Sequence, residues 1–150
     1  MDAELRALLD HHKIVRTSLN YAKAIDTRDR ELFADCFTPD GIFSTPLGER
    51  VGRAEIAATS AISHLDACQH VTTNQTVDIS GDTATMRSYF IASHLKYDHP
   101  GGANYIVGGQ YDDELARCDD GVWRFTRRKI TILWNLGNAA VMGEELRGKI

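Results

Sequence analysis

The spacing of apolar residues divides the chain into a helical first third and a strand-rich remainder. One apolar stripe recurs at intervals of mostly three and four residues, which predicts an amphipathic helix; it consists of Leu5, Leu8, Leu9, Val15, Leu19 and Ala22. From Cys68 onward the pattern is typical of long strands, over residues 71–79, 83–97, 105–117 and 122–136. Ser80-Gly81-Asp82 and Asp119-Asp120-Gly121 predict tight hairpin turns, because glycine accepts a positive φ.

The segment between these parts predicts two further helices and one short strand. A second helix covers residues 29–37, and an alanine-rich third helix covers residues 53–65. Thr38-Pro39-Asp40-Gly41 is typical of a turn and residues 42–45 of a strand, and Pro46-Leu47-Gly48 and Gly52 frame a loop. Helices followed by consecutive hairpins predict an α+β fold, with three N-terminal helices on a strongly curved antiparallel sheet. The helices fill the concave side only in part, which leaves a pocket.

The composition is that of an ordinary globular domain. The 150 residues fit a single domain, 1–150, and 43% hydrophobic with 25% charged residues excludes disorder, collagen and coiled coil. A net charge of −4 gives no attraction to nucleic acid or to an anionic membrane. No apolar run approaches the ~20 residues of a membrane span. The expected partners are therefore a small hydrophobic molecule and, because the long strands carry few protective charges, further copies of the chain in a homodimer or higher homo-oligomer.

The cysteines and the absence of known cofactor motifs exclude further classes of function. Cys36, Cys68 and Cys118 are odd in number and form no CxxC pair, which favours reduced thiols and disfavours a zinc site or disulfides. The charged N-terminus lacks the apolar core of a signal peptide, so we expect a cytoplasmic protein. No motif for a nucleotide, a serine nucleophile or a protein-bound zinc occurs, so we expect neither cofactor nor metal.

Asp26 is an anomaly because a carboxylate stands on the apolar stripe of the first helix. Burial without a partner would cost several kcal/mol, and the helix dipole opposes a negative charge near the helix C-terminus. Two interpretations follow from the residues. Asp26 (or Thr27) caps the second helix and points to solvent, or it pairs inside the protein with a partner such as a histidine.

Two histidines in the predicted strands are candidates for proton transfer. His70 shares one face of its strand with Thr72 and Asn74, so either this face is hydrated or the imidazole pairs with a carboxylate and becomes a general base. His94 lies on the less polar face of the following strand, which favours a core or pocket histidine.

Three other polar residues could line the same cavity. Gln110 and Asp112 alternate on one strand, a pattern that an ordinary solvated strand explains equally well. Arg128 falls on the opposite face from Arg127 and Lys129, either as part of a charged sheet surface or as a clamp for an anion or carbonyl group.

Six short motifs follow one another between Leu9 and Trp134. They are Ala24-Ile25-Asp26, Thr38-Pro39-Asp40-Gly41, Gln69-His70, Gly81-Asp82-Thr83-Ala84, His94, and Asp120-Gly121-Val122-Trp123-Arg124-Phe125. In this order they resemble the SnoaL-like branch of the nuclear-transport-factor-2-like (NTF2-like) superfamily. The resemblance is strongest to scytalone dehydratase-like proteins, with the dehydrochlorinase of lindane breakdown similar, and it implies a cone-shaped α+β barrel.

The resemblance also implies roles for individual residues. Asp26 matches the aspartate that pairs with the catalytic histidine, His70 matches that histidine, and His94 matches a second histidine that helps to arrange a carbonyl-polarising water. Asp112 stands about where the dehydratase has an asparagine. Ile25 and the Phe43–Ser44 region stand where it has tyrosines, so we expect Phe43 to contact the substrate, and another group must polarise the carbonyl.

The resemblance leaves four candidates for this group: Tyr21, Tyr105, His94 and Arg128. The resulting hypothesis is a cofactor-independent lyase or isomerase, in which an Asp–His dyad removes a proton from a small apolar cyclic or aromatic carbonyl compound. Two alternatives remain open. One is a non-catalytic binding or assembly domain, and the other is a structural protein like the small β subunit of ring-hydroxylating oxygenases.

Overall fold

The computed structural model describes residues 2–59 and 64–143, which form three helices, six strands and one 3₁₀ helix. The helices are α1 (Ala3–Thr27), α2 (Arg30–Asp35) and α3 (Arg53–Ala58), and the 3₁₀ helix is Ala139–Met142. The strands are β1 (Phe37–Thr45), β2 (Gly48–Val51), β3 (Ala67–Ser80), β4 (Thr83–Leu95), β5 (Asn104–Arg117) and β6 (Trp123–Gly137). The predicted α+β class and the four long strands are confirmed.

The six strands form one curved sheet in the order β2-β1-β6-β5-β4-β3. Neighbouring strands are antiparallel except β1 and β6, which run parallel. The sheet is not closed into a barrel. Strands of 13 to 15 residues coil strongly, and α1 packs across the concave face against β3 and β6.

The buried face of α1 differs from the predicted apolar stripe. Leu5, Leu8, Leu9 and Leu19 are exposed, whereas Asp10, Ile14, Thr17, Ser18 and Tyr21 are buried. Polar side chains can occupy this face because the sheet supplies their partners. The Asp10 carboxylate accepts two hydrogen bonds from Arg117 at 2.7 Å and one from the Trp123 indole at 3.2 Å, and the Thr17 hydroxyl donates to the Trp123 carbonyl at 2.6 Å.

Several predicted local features need correction. Residues 38–41 are not a turn but an irregular stretch of β1, where its register against β6 shifts between Phe37 and Ile42. Residues 48–51, predicted as part of a loop, form the edge strand β2. The regular part of α3 ends at Ala58, and residues 60–63 and 144–150, parts of the predicted third helix and tail, lie outside the described residues.

The core between α1, α2 and the sheet is aromatic. Tyr21 contacts Phe33, Phe37, Phe43, Tyr111 and Phe125, with ring centroids 5.2–6.3 Å apart. Four of these rings also border the space that the helices leave unfilled: Tyr21, Phe33, Phe43 and Tyr111. Within residues 2–59 and 64–143, no helix is long and apolar enough to span a membrane.

Candidate active site

A cavity of about 770 Å³ lies between α1 and the concave face of the sheet. Its wall is mostly apolar and aromatic, and includes Tyr21, Ala24, Ile25, Phe33, Phe43, Phe90, Ala92, Tyr105, Val107, Tyr111, Ile130, Ile132 and Met142. Charged side chains also contribute, among them Arg28, Arg30, Arg50 and Glu55. Both His70 and His94 line it. A pocket of this kind fits a small hydrophobic molecule.

Asp26 and His70 meet at this cavity. The Nδ1 atom of His70 lies 2.7 Å from Oδ1 of Asp26, and the backbone N–H of His70 donates to Oδ2 at 2.9 Å. The His70 side chain retains 9% of its accessible surface and Asp26 retains 24%. Of the two interpretations of Asp26, the structure therefore supports pairing. The helix cap is Asp29, whose side chain accepts from the Leu32 N–H at 2.9 Å.

Local structure explains how residues 44 positions apart come together. Asp26 lies in the last turn of α1, and the helix packs against β3. The next residue after the helix, Arg28, has a left-handed backbone conformation (φ 58°) and caps the helix C-terminus. On β3, His70 and Thr72 point inward, and a bulge between Thr73 and Thr76 then reverses the alternation. The hydrated-face interpretation of His70 is therefore wrong, because the exposed neighbour is Val71.

Hydrogen bonding fixes the tautomer of His70. Burial raises the pKa of Asp26, but the hydrogen bonds from the His70 side chain and backbone lower it by a larger amount, so that its pKa lies below the ordinary value. An ionised carboxylate only accepts hydrogen bonds, so Nδ1 of His70 donates to Asp26. In the neutral imidazole the lone pair is therefore on Nε2, which is the arrangement that a general base requires.

Cys68 is a third member of this cluster that sequence reasoning missed. Its thiol donates to Oδ1 of Asp26 at 3.6 Å, and burial together with the Asp26 charge raises its pKa to about 11. The ligand atoms of Asp26, Cys68 and His70 all lie within 4.8 Å of one another, so these residue types could hold a metal such as zinc. The sequence carries one signal for this contact: Cys68 and His70 are two residues apart on a strand, so their side chains lie on the same face.

His94 lies beside His70 in the cavity wall. The two rings are nearly perpendicular, with centroids 5.6 Å apart, and Nδ1 of His94 lies 3.2 Å from the carbonyl oxygen of Tyr105. Burial, followed by the proximity of His70, lowers the pKa of His94 to about 4. His94 is thus neutral near pH 7, with its proton on Nδ1 and an acceptor lone pair on Nε2.

Of the other predicted binding residues, Tyr21, Phe43 and Tyr105 line the cavity and three do not. Gln110 and Asp112 lie on the convex outer face, because Tyr111 between them points inward. There the Gln110 amide donates to Asp112, which also accepts from Arg87 at 2.7 Å. Gln110 and Asp112 therefore lie on an ordinary solvated strand face, which was the alternative interpretation of their alternating pattern.

Arg128 is buried, but in the core rather than in the cavity wall. It is 0% exposed and donates two hydrogen bonds to the Asp113 carboxylate, at 2.8 and 2.7 Å. The guanidinium carbon lies 4.0–4.2 Å from the ring centroids of Tyr21, Tyr111 and Phe125. Arg128 is therefore neither an exposed surface charge nor a substrate clamp.

Comparisons with solved structures give the same architecture. A protein from Kribbella flavida, Kfla4162, is 24% identical, with a TM-score of 0.83 over 91% of this chain and 98% of that one. A protein from Novosphingobium aromaticivorans, provisionally named a scytalone dehydratase, is 26% identical (TM-score 0.80; 88% and 89% of the chains). The hexachlorocyclohexane dehydrochlorinase LinA-type3 of Novosphingobium barchaimii shares the fold at 17% identity (TM-score 0.79; 91% and 95%).

Sequence comparison identifies the family. Among curated proteins, none shows significant similarity to this chain. Residues 6–129 match the SnoaL-like domain family, a range that covers most of α1, the strands β3, β4 and β5, and both residues of the Asp26–His70 pair. The chain therefore belongs to the SnoaL-like domain family, and its fold is NTF2-like.

Proposed function

We propose that the protein is a cofactor-independent lyase or isomerase that removes a proton from a carbon next to the carbonyl group of a small apolar cyclic or aromatic compound. The observation that carries this proposal is the 2.7 Å contact between Nδ1 of His70 and Oδ1 of Asp26 at the wall of an apolar cavity. The names of two structural neighbours, a dehydratase and a dehydrochlorinase, support a lyase.

The proposed step begins at Nε2 of His70. The carbon–hydrogen bond breaks, its proton passes to Nε2, and its electron pair moves onto the carbonyl oxygen as an enolate. Asp26 stabilises the imidazolium that forms, and the low dielectric of the cavity strengthens this interaction. The enolate then either expels a leaving group from the β carbon or takes the proton back from Nε2 at another carbon. In the first case the leaving group takes the proton from Nε2 of His70 as it departs, so both routes restore neutral His70. A positioned general base contributes about 10²–10⁴-fold to such a rate.

Hydrogen–deuterium exchange tests the first half of this reaction without knowledge of the leaving group. The protein is incubated in D₂O with 1-tetralone and 2-tetralone, and loss of the α-proton signals is followed by NMR. We expect catalysed exchange by the wild type and background exchange by the His70→Gln variant. The matched control is His11→Gln, at an exposed position of α1, which should exchange at the wild-type rate. Equal rates for wild type and His70→Gln would refute the proposal.

Assembly is a second candidate function because the outer face of the sheet carries a row of apolar side chains. Val71 pairs with Ile91, Ile91 with Gly108, and Gly108 with Trp134, so the row crosses β3 to β6. Val71, Ile91 and Trp134 are 43–48% exposed. We infer that this outer-face row joins copies of the chain in a homodimer or higher homo-oligomer.

Sedimentation velocity tests the assembly. We expect the wild type to sediment as an oligomer and the Ile91→Lys variant as a monomer, because a charge in the buried centre of an interface is costly. Thr85→Lys places the same charge on the outer face of the same strand, outside the row, and should remain oligomeric. The measurement is made at 100 μM, on the order of 10²-fold above a micromolar Kd. A wild type that is monomeric at this concentration would contradict the second function.

A further inference from the structure

The hydroxyl group of Tyr105 is a buried hydrogen-bonding group without a partner. Tyr105 is 0% exposed, and among the described residues its hydroxyl meets no donor or acceptor. Buried polar groups are nearly always hydrogen-bonded, and an unpaired one requires an explanation. The same residue lines the cavity that contains His70 and His94. Its free hydroxyl is therefore available to a molecule bound there.

Strand pairing places Tyr105 in the same cavity wall as His70, the partner of Asp26. Tyr105 on β5 lies directly opposite His94 on β4, with ring centroids 6.3 Å apart, and His94 in turn lies 5.6 Å from His70. Burial raises the pKa of Tyr105 above its ordinary value. The phenol is thus protonated at neutral pH and can donate a hydrogen bond.

The other candidates for polarising a carbonyl are less well placed than Tyr105. Arg128 donates to Asp113 from Nε and Nη2, and although its Nη1 has no partner among the described residues, Arg128 does not line the cavity. The Tyr21 hydroxyl donates toward the Tyr111 hydroxyl, an interaction that acts to lower the pKa of Tyr111. His94 is neutral, and because Nδ1–H donates to the Tyr105 carbonyl, its Nε2 can only accept. Of the four candidates, Tyr105 is the one that both lines the cavity and has an unpaired donor among the described residues.

We propose that the Tyr105 hydroxyl donates a hydrogen bond to the carbonyl oxygen of the substrate, and that the substrate is therefore an apolar ring compound with an oxygen acceptor rather than a halogenated hydrocarbon. This inference rests on the proposed function. When the carbon–hydrogen bond breaks and its proton passes to Nε2 of His70, the electron pair moves onto this oxygen. The hydrogen bond from Tyr105 becomes stronger as the negative charge develops, which favours the transition state.

Ligand binding tests the hydrogen bond independently of turnover. The probes are 1-tetralone and 1-methylenetetralin. They have nearly the same shape, but the first has a C=O group that accepts a hydrogen bond and the second has a C=CH₂ group that does not. We expect the wild type to bind the ketone about fivefold more tightly than the hydrocarbon, and the Tyr105→Phe variant to bind both equally. The infrared carbonyl stretch of bound 1-tetralone should lie at lower frequency in the wild type than in Tyr105→Phe. Tyr89→Phe, which removes a half-exposed phenol from the outer face, serves as the control.

The outcomes separate this inference from the proposed function. A wild type without preference for the ketone, including one that binds neither probe, overturns the role of Tyr105, as does a preference that survives in Tyr105→Phe. If the preference and the infrared shift depend on Tyr105 while α-proton exchange is absent, the hydrogen bond stands and the proposed function fails. Where exchange occurs, Tyr105→Phe should slow it by about 10²–10³-fold.

Discussion

The ring of His94 stands nearly perpendicular to the ring of His70, at an interplanar angle of 86° and a centroid distance of 5.6 Å. The two imidazoles have different environments although they share one wall. His70 faces the Asp26 carboxylate, whereas His94 is 5% exposed and its Nδ1 faces a backbone carbonyl. Burial and the neighbouring His70 both disfavour a charge on His94. The difference supports the proposed proton transfer by His70 and makes His94 a neutral hydrogen-bond acceptor.

The low pKa of His94 predicts acid sensitivity of the fold. Its pKa is about 4 in the folded protein, against 6.5 as the ordinary value. Between these two values the unfolded chain binds the proton and the folded chain does not. The free energy of unfolding therefore falls as the pH falls from about 6.5 toward 4, by up to about 3 kcal/mol. Above pH 6.5 this contribution no longer changes with pH.

Urea denaturation at several pH values measures this effect. His94→Asn keeps a side chain that can donate to the Tyr105 carbonyl but removes the titration. We expect its free energy of unfolding to depend less steeply on pH between 6.5 and 4 than that of the wild type. Parallel curves for the two proteins would contradict the lowered pKa, because they would show that His94 has the same pKa in the folded and unfolded chain.

Replacement of Asp26 by asparagine tests the carboxylate of the pair. The variant keeps the shape of the side chain but removes the charge that stabilises the His70 imidazolium and the acceptor that holds the proton on Nδ1. We expect Asp26→Asn to slow α-proton exchange of a bound ketone by about 10²–10⁴-fold, measured by NMR in D₂O. Asp112→Asn, on the outer face, should leave the rate unchanged. A rate for Asp26→Asn close to that of the wild type would exclude a catalytic dyad.

The Asp26–His70 pair also shows what the sequence can predict. A carboxylate near the end of an amphipathic helix is conspicuous, and the residue pattern anticipated that it needs a partner. The pattern could not distinguish pairing from helix capping, because Asp29 competes for the cap and only the path of the chain after Arg28 decides between them. The backbone N–H of His70 that binds Asp26 leaves no signal in a sequence.

Strand alternation could not place Gln110 and Asp112. It separates the two faces of β5 but does not tell which face is concave, so it allowed these residues either in the cavity or on a solvated face, whereas Tyr105 and Tyr111 line the cavity. The polar buried face of α1 was missed for a related reason. Asp10 is buried only because Arg117, which is 107 positions away, reaches it. Such partners depend on tertiary structure and not on local periodicity.

The buried ion pair of Arg128 and Asp113 predicts a large loss of stability when one partner is removed. Arg128→Met leaves the Asp113 carboxylate without its two hydrogen bonds, and we expect a loss of about 3–5 kcal/mol in the free energy of unfolding. The double variant Arg128→Met/Asp113→Leu should regain much of this loss, since no uncompensated charge remains. Urea denaturation checks both. A single variant as stable as the wild type would show that the pair is dispensable.

Two adjacent glycines of β5 provide a matched pair for the last prediction. A Cβ atom at Gly109 would lie 2.2 Å from the backbone oxygen of Thr131 and 2.8 Å from the Phe90 ring, which lines the cavity. A Cβ atom at Gly108 would lie 2.0 Å from the Trp134 ring, on the outer face. At Gly109 the obstacle is the backbone of a central strand, which cannot move away. At Gly108 the obstacle is the Trp134 side chain, which is 43% exposed and can rotate.

We therefore expect Gly109→Ala to lower the free energy of unfolding by about 1–3 kcal/mol and Gly108→Ala to lower it less. Gly109→Ala should also weaken binding of 1-tetralone, because Phe90 must shift toward the cavity, while Gly108→Ala should leave binding unchanged. Thermal unfolding and a ligand titration measure the two effects on the same samples. If Gly108→Ala proved the more damaging variant, Trp134 would be fixed on the outer face, as it would be when that face is buried between copies of the chain.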